Sequence, residues 1–100
     1  MLIIHANAYC EGVFCPDTDV RVEQGEVVEV GRLTARAGEE VVDAAGQYLL
    51  PGFVDVHIHA FRGHDTMEGE AAVRHMSREL AQIGVAAFMP TTMSASVEDT

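Results

Sequence analysis

The stretch Leu50-Pro51-Gly52-Phe53-Val54-Asp55-Val56-His57-Ile58-His59 decides how the rest of the chain is read. Pro51 and Gly52 interrupt what precedes them, and Phe53 to His59 then runs as a dense apolar strand. Side chains alternate between faces along a strand, so Val54, Val56 and Ile58 share one face and Phe53, Asp55, His57 and His59 the other. The valine face is apolar enough to lie under a helix. The opposite face carries a carboxylate and two imidazoles in a row, a set that is costly to bury unless each member has a partner or a metal. Both histidines fall at the C-terminal end of the strand, where parallel α/β folds gather their active-site groups.

Downstream, a Gly-containing loop from Ala60 to Glu68 leads into good helix formers from Glu70 to Ile83. Val73, Met76, Leu80 and Ile83 recur at three- and four-residue steps as an apolar stripe, with Glu70, Arg74 and Arg78 on another face in i,i+4 register. Gly84 stands where a helix cap is expected, and Val85 to Met89 reads as a second buried strand closed by Pro90. Strand, helix, strand implies two parallel strands joined by a right-handed crossover. The polar Ser94 to Thr100 is expected to start another helix.

Upstream, short strands are expected at Leu2–Ile4, Val13–Phe14, Val20–Val22, Val27–Val30, Val41–Asp43 and Gln47–Leu49, with turns at Glu11-Gly12, Pro16-Asp17, Gln24-Gly25 and Ala45-Gly46. Such spacing predicts an antiparallel meander or half of a small sandwich. The expected organisation is therefore α/β: a partial β-sandwich over residues 1–50, then from residue 51 to 100 the start of a strand–helix domain.

Composition narrows the function classes. All six basic residues are arginine, against 16 acidic residues and a net charge of -10. This excludes a nucleic-acid or anionic-membrane surface, which needs a basic patch. No apolar run approaches the roughly 20 residues of a membrane helix, and Met1-Leu2-Ile3-Ile4-His5 lacks the basic segment of a secretory signal, so a cytoplasmic address is expected. Cys10 and Cys15 are spaced C-x4-C rather than as a zinc knuckle and are expected to stay reduced, with a soft-metal site as the sharper alternative.

Taken alone, H-x-H is more often satisfied by carbonyls or water than by metal. The run from Leu50 to His59, however, resembles the P-G-F-(I/V)-D-x-H-x-H signature of the amidohydrolase superfamily, matching over consecutive residues. Gly63, Asp65, Thr66 and Met67 resemble the loop of N-acetylglucosamine-6-phosphate deacetylases, and Phe88-Met89-Pro90-Thr91-Thr92 resembles that family's second strand. The segment Asp19 to Gly31 is similar to the superfamily's N-terminal strands. Ala60, Phe61-Arg62 and Ala86-Ala87 depart from the family pattern.

The resemblance implies the opening of a (β/α)8 barrel, incomplete in this chain, with His57 and His59 as metal ligands for one or two divalent ions, zinc or iron. It implies hydrolysis of the acetamide of an N-acetylhexosamine 6-phosphate to acetate and an amino-sugar phosphate, by a protein that is a homodimer at full length. The remaining ligands and the catalytic aspartate of that family lie on later strands, so no catalytic residue is expected within this chain. Arg62 and His64 are candidates for binding the substrate phosphate. Dihydroorotases, N-acyl-amino-acid hydrolases and deaminases share the same signature, and a non-catalytic truncated module is the remaining alternative. Asp55, His5, His75, Thr91 and Thr92 read more simply as satisfied polar positions, and Met67, Met76, Met89 and Met93 as packing.

Overall fold

A computed structural model describes residues 1–99. The chain divides into two compact units, Met1–Pro51 and the residues from Gly52 onward. Among the described residues no helix is long and apolar enough to cross a membrane.

The first unit is a five-stranded sheet of β1 (Leu2–Cys10), β2 (Val13–Glu23), β3 (Glu26–Gly31), β4 (Val41–Asp43) and β5 (Tyr48–Leu49). Its first three strands are hairpins with two-residue turns. Glu11-Gly12 and Gln24-Gly25 all have positive φ (48°, 92°, 51° and 82°), the backbone that matches strand twist in a tight hairpin. The sequence reading placed a turn at Pro16-Asp17. Both residues instead lie inside β2, as a bulge: Ala6 pairs with Thr18 and Ala8 with Cys15, so β2 carries one extra residue there. A bulge tolerates the missing N–H of proline, which is why the strand continues through it.

The unit is not an antiparallel meander. Strands β4 and β5 both run parallel to β1, along the edge that β2 does not occupy. A connection over residues 32–40 carries the chain back, and two buried polar residues of β2 hold it. The Asp19 carboxylate accepts from the N–H of Leu33 (2.9 Å) and of His5 (3.0 Å). The Arg21 guanidinium donates to Glu39 (2.7 Å), Glu29 and the carbonyl of Thr34 (2.8 Å). Ala6, Ala8 and Val20 form the core, with Ile3, Cys10, Val22 and Leu49 packed on it.

In the second unit β6 (Phe53–Ile58) pairs in parallel with β9 (Val85–Pro90). Between them come a small hairpin, β7 (Ala60–Phe61) with β8 (His64–Asp65), a 3-10 turn (Thr66–Glu68) and helix α1 (Glu70–Ala81). Asp65 caps the turn by accepting from the N–H of Met67, and Glu68 returns a bond to the Asp65 N–H, a capping box. The helix buries Ala72, Met76 and Leu80, an i,i+4 ladder, and packs on β9 and the β7–β8 hairpin. Ile83, expected on the stripe, lies past the helix end and is exposed. Val54 and Val56 are 66% and 68% exposed, so the expected helix cover over the β6 valine face is not formed, and α1 packs on β9 instead. The terminal segment forms a 3-10 turn over Val97–Asp99, and Thr100 lies outside the described residues.

Candidate functional site

Strand β6 ends at Ile58, one residue short of the expected His59, yet the two imidazoles still converge. Their Nε2 atoms stand 3.0 Å apart with the rings nearly perpendicular, at 83°. His57 is exposed and His59 half-buried. The backbone here is stitched to the residue just past β9: the Thr91 N–H donates to the Ile58 carbonyl at 2.8 Å, and His59 Nδ1 lies 2.9 Å from the Thr91 carbonyl. Asp55 accepts the His57 backbone N–H through Oδ1 at 3.1 Å and so holds the local strand geometry.

Two imidazole nitrogens on one tetrahedral ion, each at about 2.0–2.1 Å, stand about 3.3 Å apart. The observed spacing is close to this and equally suits an N–H···N hydrogen bond between the rings. His57 and His59 are thus the residues that could hold a metal. Among the described residues no group of three or more histidine, cysteine, aspartate or glutamate side chains is assembled for one, so the pair fits part of a ligand set and not a closed site.

The other candidates lie on the hairpin and helix. Arg62 sits in the β7–β8 turn and donates to Glu79 of α1 at 2.6 Å, with its guanidinium 5.6 Å from the Phe61 ring centre. His64 stacks on His75 of α1, ring centres 3.9 Å apart, and each has a glutamate 4.0 Å away, Glu68 and Glu79 respectively. The turn thereby docks on the helix through Arg62 and His64 together. His75, read from the sequence as a bland helix position, is part of this contact. Its i,i+4 spacing to Glu79 was visible, but the stacking partner came from a loop whose path the sequence does not dictate. His5 belongs to the first unit, where Nδ1 pairs with Asp43 at 3.1 Å. The Ala45 N–H, then His5, hold the Asp43 carboxyl below its ordinary value.

The paired imidazoles, one ring oriented by a backbone carbonyl, stand at the C-terminal end of a parallel strand, where parallel α/β folds gather their active-site groups. Comparison with known proteins narrows this further. Residues 40–86 match the description "Amidohydrolase family". The chain is 30% identical over 81 residues to an N-acetylglucosamine-6-phosphate deacetylase of Lysinibacillus sphaericus, covering 80% of this chain and 21% of that protein. It is 57% identical over 44 residues to a dihydroorotase of Pelobacter propionicus, covering 43% of this chain and 10% of the relative. An allantoinase of Desulfitobacterium hafniense is 34% identical over 92 residues, 87% of this chain and 20% of that protein. These matches support the amidohydrolase superfamily. The chain spans only between a tenth and about a fifth of the length of these relatives.

Proposed function

We propose that these residues open the barrel of a metal-dependent amidohydrolase, in which His57 and His59 supply two ligands to a divalent cation, zinc or iron. The observation that carries this is the convergence of the two Nε2 atoms at 3.0 Å, with His59 Nδ1 facing the Thr91 carbonyl. A carbonyl accepts only, so Nδ1 holds the proton and Nε2 presents its lone pair. The donor set fits the group on its chemistry. When bound, such a cation supplies polarisation of a carbonyl and a more acidic water. Of the described side chains, Asp55 fixes the strand beneath His57, while Arg62 and His64 set the turn that follows His59. The acid and base of the reaction belong to other residues of the whole protein.

The substrate we favour is an N-acetylhexosamine 6-phosphate, deacetylated to acetate and the amino-sugar phosphate. The similarity to the Lysinibacillus deacetylase extends over 80% of this chain, and the Gly63-His64-Asp65-Thr66-Met67 loop resembles that family. The 57% identity to a dihydroorotase over 44 residues favours a second reading, a cyclic amide as substrate. The test is to express the whole protein, measure its metal content, and assay both substrates. His57→Ala and His59→Ala are each expected to lose metal and activity while retaining the helical and sheet spectrum. Unchanged metal content in both variants would overturn the ligand assignment, and turnover of dihydroorotate alone would overturn the sugar.

A further inference from the structure

Cys10 and Cys15 flank the β1–β2 turn, on a face of the sheet remote in sequence from the histidine pair. The register pairs Cys10 with Val13 and Ala8 with Cys15, so both cysteines project from the same face as diagonal neighbours. Right-handed strand twist brings together the diagonal that joins the turn-proximal residue of the first strand to the turn-distal residue of the second. That is the diagonal on which these two lie. On the opposite face, Phe14 packs edge-on between Tyr9 and Tyr48, ring centres 5.5 and 5.1 Å apart, and fixes this register. Both thiols are free and half-buried. Burial first, then the neighbouring Cys15, raises the Cys10 thiol above its ordinary value, as close approach of the two sulfurs requires.

We propose that Cys10 and Cys15 form a reversible disulfide across this hairpin by exchange with a small-molecule disulfide such as glutathione disulfide. The thiolate of one cysteine attacks the glutathione S–S bond and forms a mixed disulfide, and one glutathione thiolate leaves and takes up a proton. The second cysteine gives its proton to water and attacks the protein-side sulfur, expelling the second glutathione. Two protein thiols and one glutathione disulfide thus become one protein disulfide and two glutathione thiols. Closure requires the two Cβ atoms to come within about 4 Å, closer than diagonal neighbours of a regular hairpin stand, so the turn end at Glu11-Gly12 must move to admit the bond. A lasting glutathione adduct is disfavoured on Cys10, whose side chain packs on the Ala6, Ala8 and Val20 core and lines an apolar cavity of about 330 Å³ with Ile3, Val22 and Leu49.

The experiment is to incubate the reduced protein with glutathione disulfide at mildly alkaline pH, quench with an alkylating agent, and map the peptides. The expected product is lighter than the reduced chain by two hydrogens, carries a Cys10–Cys15 crosslink, and reverts with dithiothreitol. Cys10→Ser should instead retain one glutathione, on Cys15, while Cys15→Ser should retain little, and neither should form the internal crosslink. In urea the share of internal crosslink relative to mixed disulfide should fall, because the folded register no longer aligns the sulfurs. Stable glutathione on both thiols, crosslinks between chains, untouched thiols, or an internal share unaffected by urea would each overturn the proposal.

Discussion

The ring of His59 is oriented by the backbone of Thr91: Nδ1 lies 2.9 Å from that carbonyl oxygen, one residue past the end of β9. The same residue donates its N–H to Ile58 at 2.8 Å, so one residue just past β9 sets both the strand end and the tautomer of the imidazole. Because main chain and not a side chain does this, Thr91→Val should leave the orientation intact. Thr91→Pro keeps the carbonyl but removes the N–H that pins it to Ile58, and should weaken metal binding as the carbonyl shifts off His59, at most by the about 10–100-fold found when an orienting partner of a ligand is lost. Chelator competition on the whole protein measures it. Equal affinities in the two variants would show that the Thr91 N–H bond to Ile58 is not what holds the carbonyl against His59.

Gly52 has no positive-φ requirement, yet it cannot carry a side chain. A Cβ there would stand 2.6 Å from the Ala86 Cβ and 3.2 Å from the Gly84 carbonyl. Gly52→Ala should therefore destabilise by about 1–3 kcal/mol through overpacking at the start of β6. Pairing it with Ala86→Gly removes the nearest clash, and denaturant midpoints should recover in part. A neutral Gly52→Ala would mean that β6 and β9 can slide apart freely.

Met76 is fully buried beneath α1, between Ala72 and Leu80 on the helix's inward ladder. Met76→Ala should cost about 2–5 kcal/mol, the usual range for emptying a core position. Met76→Leu, which conserves volume, should cost less than about 1.5 kcal/mol. Thermal unfolding followed by circular dichroism separates the two, and similar losses in both would point to a role other than filling space.

Acid should loosen the first unit. Arg21 foremost, then the Arg36 N–H, holds the Glu39 carboxyl at about 2, below its ordinary 4.5. A depressed acid stabilises the fold fully above the ordinary value, and that contribution is lost as the pH falls from 4.5 towards 2. Asp19 is lowered as well, by the Leu33 and then the His5 N–H. Urea midpoints should therefore decline across this window, and Glu39→Gln should make the decline shallower without abolishing it. An unchanged slope in Glu39→Gln would remove Glu39 from the acid response.

How much of this was legible beforehand varies with the range of the interaction. The hairpin turns announce themselves because Glu11-Gly12 and Gln24-Gly25 are local, and the strand–helix–strand order follows from periodicity. Strand parity already put His57 and His59 on one side, and their nitrogens do meet. Hidden instead was the parallel placement of β4 and β5. It depends on Asp19 and Arg21, which in Asp19-Val20-Arg21-Val22 look like an ordinary solvated polar face and are in fact buried under the 32–40 connection. Alternation records only that two faces differ. It cannot say that a loop will cover the polar one. Ala72 escaped notice for a related reason, since a small side chain adds little to an apolar stripe but allows the helix to approach closely.

The parallel pairing of β6 with β9 also fixes an order of events in time. Two-residue hairpins such as those joining β1, β2 and β3 close in about 1–10 μs. The two strands of the histidine site have a hairpin, a turn and a helix between them, and chain entropy must be spent on that intervening length before their ladder returns anything. The acceptor that orients His59 arrives only with residue 91. Pulse-labelled hydrogen exchange should find the Val20 and Val22 amides protected before that of Thr91, so the imidazole pair is put in order late, after the chain around it has found its register.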